Sequence, residues 1–179
     1  MKNPPVRYSI FPSSPEAHLF EVRCTVDNPD PWGQKFSLPT WIPGSYLIRE
    51  FARHVVRIRA QSGRKLLRMV KLDKNSWQVE PVDGPVTVTM EVYAWDLSVR
   101  GAHLDTTHAF FNGPSVFLKV DEREDEPVEV ENRMGSDLAI RQSLLALLHC
   151  KTPVSALRNI TAMNQFAILY QDRFARAHA

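Results

Sequence analysis

In Val86-Thr87-Val88-Thr89-Met90-Glu91-Val92-Tyr93-Ala94-Trp95 the side chains alternate in character, and this leaves the segment little conformational choice. Successive side chains of an extended strand point to opposite faces. Val86, Val88, Met90, Val92 and Ala94 therefore form one apolar face, with threonine, glutamate and aromatic side chains opposite. A helix would scatter the same residues around its circumference. Asp83-Gly84-Pro85 is a turn signal that starts the strand.

The same period recurs upstream. Val6-Arg7-Tyr8-Ser9-Ile10 alternates, and residues 18–26 set Leu19, Glu21, Arg23 and Thr25 against Phe20, Val22, Cys24 and Val26. Pro12 and Pro15 exclude a helix between them, because proline lacks an amide donor and obstructs the preceding turn. Asn28-Pro29-Asp30-Pro31-Trp32-Gly33 reads as a rigid turn before a short strand over residues 34–38. Further strands are predicted over residues 54–60, 66–72, 77–82, 115–120 and 127–130, with turns at Ser62-Gly63 and Asp73-Lys74-Asn75. Short strands at regular spacing predict a mainly β fold, an antiparallel β-sandwich or a saddle-shaped sheet.

One stretch interrupts the series: Leu38-Pro39-Thr40-Trp41-Ile42-Pro43-Gly44-Ser45-Tyr46-Leu47-Ile48-Arg49-Glu50-Phe51-Ala52-Arg53. Its Pro43-Gly44 turn signal lies between large apolar groups and leads into a run of strand-like composition. The expected outcome is a tight reversal that buries aromatics on both sides and organises the rest of the chain. Trp41 and Trp77 are the expected core anchors.

At about Glu131 the character changes: all four tryptophans, twelve of the thirteen prolines and six of the seven glycines lie before it. Ser136 can cap a segment in which Leu138, Leu144, Leu145 and Leu148 recur at helical spacing. Thr152-Pro153 can start a second helix, with Ile160, Met163, Ala167, Tyr170 and Phe174 on one face. The expected division is a β domain over residues 1–131 and a C-terminal helical hairpin, an appendage, over residues 132–179. The acidic junction, Asp121 to Glu131 around Arg123, reads as a solvated loop and edge strand. It lacks the Asp-x-Asp-x-Asp-Gly order of a calcium loop.

The totals exclude several function classes. The 179 residues suit one domain with or without an appendage. Hydrophobic residues at 44% and charged residues at 23% fit a folded domain, not a disordered chain. A net charge of +2 with interleaved signs offers no basic stripe to neutralise phosphates, so no nucleic-acid partner is expected. No run reaches the ~18 apolar residues of a membrane span, so no membrane partner is expected. Met1-Lys2-Asn3-Pro4-Pro5 lacks the apolar core of a secretion signal, and a cytoplasmic location is the default. Cys24 and Cys150 read as two reduced thiols, because no disulfide framework or C-x-x-C spacing is present.

Catalytic patterns are missing from the sequence. His18, His54, His103, His108, His149 and His178 do not occur in a His-Glu-x-x-His helix, which would place two imidazoles on zinc and a glutamate beside its water. His103 and His108, beside Asp105, read as surface loop residues and not metal ligands. Gly44-Ser45 is no nucleophile elbow, and His149 and Cys150 are neighbours that point apart on a helix.

Three stretches in order carry a family resemblance. They are residues 38–53, then Lys71-Leu72-Asp73-Lys74-Asn75-Ser76-Trp77, then Val92-Tyr93-Ala94-Trp95-Asp96-Leu97-Ser98-Val99-Arg100 running on to Phe110-Phe111-Asn112-Gly113. Together they resemble the amino-terminal domain of the glycyl aminopeptidase family of zinc metallopeptidases. The resemblance implies a domain followed, in the family, by a catalytic domain and a PDZ domain. It places the zinc ligands and general base downstream, so no catalytic residue, metal ligand or cofactor is assigned to this chain; zinc belongs to the full-length family.

Trp95, Asp96, Arg100, Phe111 and Asn112, with Asp105 and Phe110, have two readings. They form either a turn-bracing network with an Asp96–Arg100 charge pair, or the edge that docks on a catalytic module and shapes the rim of its peptide cleft. The expected function is a non-catalytic accessory domain. The alternatives are a stand-alone protein-binding or dimerisation module, self-associating through the C-terminal helices, or a truncated relic of a metallopeptidase gene.

Overall fold

The computed structural model describes residues 5–42, 46–124, 126–132 and 170–171. In chain order the strands are β1 (Val6–Ser14), β2 (Leu19–Val26), β3 (Lys35–Ser37), β4 (Val55–Ser62), β5 (Lys65–Leu67), β6 (Met69–Lys71), β7 (Ser76–Val79), β8 (Val86–Tyr93), β9 (Ala102–Leu104), β10 (His108–Phe111), β11 (Lys119–Val120), β12 (Val128–Asn132) and β13 (Tyr170–Gln171). They form a six-stranded sheet in the order β12-β1-β2-β8-β4-β5, a four-stranded sheet β11-β3-β7-β6, and a three-stranded sheet β13-β10-β9. The fold is mainly β, as its alternation predicts.

The register of β2 against β8 explains why the large sheet has one dry face. Val22 lies opposite Met90, Cys24 opposite Val88 and Val26 opposite Val86. All six are buried, and each pair stacks apolar side chains across the ladder. The other face carries Thr25 against Thr87, their hydroxyls 3.0 Å apart, and Glu91, which reaches Arg57 of β4 at 3.6 Å. A one-residue slip would turn the apolar row to solvent, so the alternation sets the register. β12 joins β1 in parallel, which requires a long crossover, and β2 through β11 lie between the two in sequence.

The six-stranded and four-stranded sheets share one core, which includes Phe20 of β2 and Phe36 and Trp77 of β3 and β7. Tyr8 on β1 donates its hydroxyl to the Leu118 carbonyl at 2.7 Å and meets the Phe117 ring edge-on. Burial pushes the Cys24 thiol up to about 12, against a hydrogen bond with Tyr8, so it stays protonated and unreactive. Gly33 lies in the turn before β3 with φ of +102°, where an added Cβ would come within 2.3 Å of the Val79 carbonyl oxygen.

Several expectations need correction. Trp77 is 4% exposed, but Trp41 is 51% exposed and is not a core anchor. In its stretch the buried side chains are Leu38, Ile42 and Phe51, while Tyr46, Leu47 and Ile48 face outward. The ends of that loop are drawn together by the Arg49 amide, which donates to the Thr40 carbonyl at 2.6 Å. Residues 46–48 join no ladder among the described residues. The strand expected over residues 66–72 divides at Arg68: β5 belongs to the large sheet and β6 to the four-stranded one, a chain switching sheets at a corner. Of the strand expected over residues 115–120, only β11 forms; Gly113–Val116 is a helical turn with Pro114 at its start.

Most of the expected C-terminal helical hairpin lies outside the described residues. At Tyr170–Gln171 the expectation of helix is corrected, since these residues pair antiparallel with His108 and Ala109 of β10. Open backbone groups along a strand edge capture an extended segment whatever its side-chain period. No helix among the described residues is long and apolar enough to cross a membrane.

Candidate functional site

The site lies where β8 leaves the large sheet. Past Tyr93 the chain is knitted to β9: the Leu104 amide donates to the Ala94 carbonyl at 2.8 Å, the Asp96 amide donates to the Ala102 carbonyl at 2.9 Å, and Trp95 forms a bridge with His103. The stretch from His103 to His108, read from sequence as loop, is thus part of a short hairpin of β9 and β10. Its signal was Asp105-Thr106-Thr107, a compact polar turn. The Asp105 carboxylate accepts from the Thr107 amide, the Thr107 hydroxyl and the His108 amide at 2.6, 2.7 and 2.6 Å.

Trp95 is clamped between two imidazoles. Its ring centroid lies 3.9 Å from that of His18 and 4.8 Å from that of His103, with interplanar angles of 34° and 31°. His18 has a left-handed φ of 60° at the turn before β2. Its Nδ1 carries a proton, because it lies 2.6 Å from the Leu104 carbonyl, which can only accept. His103 is buried, with Nε2 3.0 Å from Asp105. Burial opposes ionisation of Asp105, but hydrogen bonds from Thr107, His103 and the Thr107 and His108 amides outweigh it and hold its carboxyl well below the usual range. Asp105 thereby orients His103 and caps the hairpin.

Beyond Trp95, Asp96 accepts from the Ser98 amide at 2.8 Å and the Ser98 hydroxyl at 3.2 Å, and the Gly101 amide returns to the Ser98 carbonyl at 3.0 Å. The Asp96 side chain lies directly over Gly101, where a Cβ would come within 2.5 Å of Oδ2. Asn112 braces the same turn by donating from Nδ2 to the Val99 carbonyl at 3.3 Å, and its own carbonyl accepts from the Ser115 hydroxyl at 2.6 Å. The Asp96–Arg100 charge pair is not formed among the described residues; Asp96 is engaged by Ser98, and Arg100 is exposed in the turn. Phe111 lies in the core, edge-on to Phe20 and Phe117 at 5.8 and 5.7 Å, with Phe110 half-buried beside it. Trp95, Asp96 and Arg100 are thus at the surface, Asn112 supports them from below, and Phe111 serves the core.

This turn and residues 47–54 enclose a cavity of about 280 Å³, lined by Leu47, Ile48, Phe51, Tyr93, Asp96 and Gly101 among others. Arg49, Glu50, Arg53 and His54 stand on its wall. Burial, with Arg53 adding to it and Asp96 opposing, lowers the His54 pKa, and Arg53 donates from Nε to His54 Nε2 at 3.1 Å. His54 is an acceptor there, hence neutral. Among the described residues no three His, Cys, Asp or Glu side chains converge as a metal site.

A model of the peptidase M61 N-terminal domain matches residues 7–155. The chain belongs to that family. The expectation read from three stretches, an amino-terminal domain of a zinc aminopeptidase family, agrees with this match. Among solved structures, an aminopeptidase N family protein from Idiomarina loihiensis is 34% identical, with a TM-score of 0.79, over 93% of this chain and 29% of its own. This M61 domain thus spans less than a third of that protein's length. An M1 zinc metallopeptidase from Deinococcus radiodurans, bound to a Tyr-Ser-Ala substrate, is 13% identical with a TM-score of 0.41, over 71% of this chain and 30% of its own. The same enzyme in another structure gives 12% and 0.39, again over 71% and 30%. No curated protein sequence matches the chain.

Proposed function

We propose that this M61 domain is a non-catalytic accessory part of a zinc aminopeptidase, which packs against a peptidase catalytic module and shapes the rim of its peptide cleft. The observation that supports this is the Idiomarina loihiensis relationship, which takes in 93% of this chain yet only 29% of an aminopeptidase N family protein. In that protein most of the polypeptide lies outside the matching part. Zinc, its ligands and the general base are assigned to the catalytic module, since a catalytic zinc needs about three protein ligands and an open position. The domain itself takes no cofactor and binds neither nucleic acid nor membrane. A cytoplasmic location completes the reading.

The test is an aminoacyl-anilide assay with zinc present. The purified chain alone should hydrolyse nothing. The Idiomarina loihiensis protein stripped of its matching region should gain activity when this chain is added. Chelator-sensitive hydrolysis by the chain alone overturns the non-catalytic reading, and unchanged activity in the mixture overturns the accessory role.

A further inference from the structure

We infer that the catalytic module seats on the end of the domain formed by residues 46–48 and 93–99. The inference rests on the accessory-domain reading above. Of thirteen exposed large hydrophobic residues among those described, seven fall in residues 46–48 and 93–99. Leu47, Ile48 and Tyr93 share the wall of one cavity, so the two loops meet there. Large apolar groups gathered at one place on a surface mark an interaction site, whereas scattered ones need no explanation.

The surface is also held ready. Trp95 is gripped by His18 and His103, and Asp96 locks the turn through Ser98. A rigid face loses less entropy on binding than one that must first order itself. A peptidase module is the occupant because the matching relative carries most of its chain beyond the part this domain represents.

Binding of the purified chain to the Idiomarina loihiensis protein lacking its matching region, followed by calorimetry, tests the surface. Ile48→Asp and Leu97→Asp should each weaken binding by about tenfold or more while leaving the thermal midpoint unchanged. Val70→Asp, on the exposed edge strand β6, should bind like the parent. If Ile48→Asp and Leu97→Asp both bind like the parent, the surface is wrong and the accessory reading survives. If the parent itself does not bind, both fall. If the parent is a dimer that Ile48→Asp dissociates, and the module is ignored, the occupant is a second copy and the inference is overturned.

Discussion

Residues 86–94 and residues 46–48 carry side chains of similar hydrophobicity and finish in opposite places. Val88, Met90 and Val92 are buried between neighbouring strands, whereas Leu47 and Ile48 are 64% and 73% exposed. The first segment alternates and finds ladder partners on both sides, β2 and β4. The second belongs to no ladder and offers its apolar groups outward. Hydrophobicity alone did not decide burial; period and pairing did. An apolar run left exposed among the described residues is a candidate contact surface.

The two tryptophans give the sharpest way to break this comparison. Trp77→Ala, in β7, should cost about 3–5 kcal/mol, as expected for a large aromatic lost from a core. Trp41→Ala should cost about 1 kcal/mol, because half of its surface already meets solvent. Chemical denaturation of both variants measures the difference. Equal losses would restore Trp41 as an anchor and remove the distinction between the regions.

Gly101→Ala should be next in size. The new Cβ would meet Asp96 Oδ2, Cγ and Cβ at 2.5, 2.7 and 2.9 Å, and the Asp96 side chain cannot yield without releasing Ser98. A loss of about 1–3 kcal/mol is expected. Near-ultraviolet circular dichroism should also change as Trp95 shifts. A variant with parental stability and spectrum would show that the turn is not held as described.

The smallest effect concerns pH. The Asp105 carboxyl titrates lower in the folded chain than in the unfolded one. Its contribution is therefore complete above the unfolded pKa of about 4 and is lost as pH falls through the folded value. Asp105→Asn should be less stable than the parent by about 1 kcal/mol at neutral pH, with the gap closing in acid. Thermal midpoints over an acid series check it. A gap that widens in acid would reverse the assigned sign.

The large sheet was legible because alternation specifies both conformation and face. Val86 to Ala94 needs no tertiary knowledge to be read as a half-buried strand, and Val22 and Cys24 point to the same side by the same rule. The fate of Trp41 was not legible. A single loop residue has no period, and whether it or Ile42 turns inward depends on the closure between Arg49 and Thr40. The hairpin of β9 and β10 was missed because its strands hold three and four residues, too short to show alternation. Tyr170–Gln171 fits a helical stripe by spacing, yet pairs as strand with β10. At the site, Trp95, Asp96 and Asn112 lie around one turn, whereas Phe111, grouped with them in the sequence reading, lies in the core. Adjacent residues in β10 face opposite ways, and Phe111 is the one that faces the core.

Amide hydrogen exchange on the purified chain tests most directly the claim that one region is core and the other is a surface awaiting a partner. Amides of β1, β2, β8 and β4 should exchange only through global unfolding, while those of residues 46–48, 97, 99 and 100 should exchange orders of magnitude faster at unchanged stability. Addition of the Idiomarina loihiensis protein lacking its matching region should slow the second set and leave the first alone. Residues 46–48 as strongly protected as β8 in the chain by itself would contradict the account.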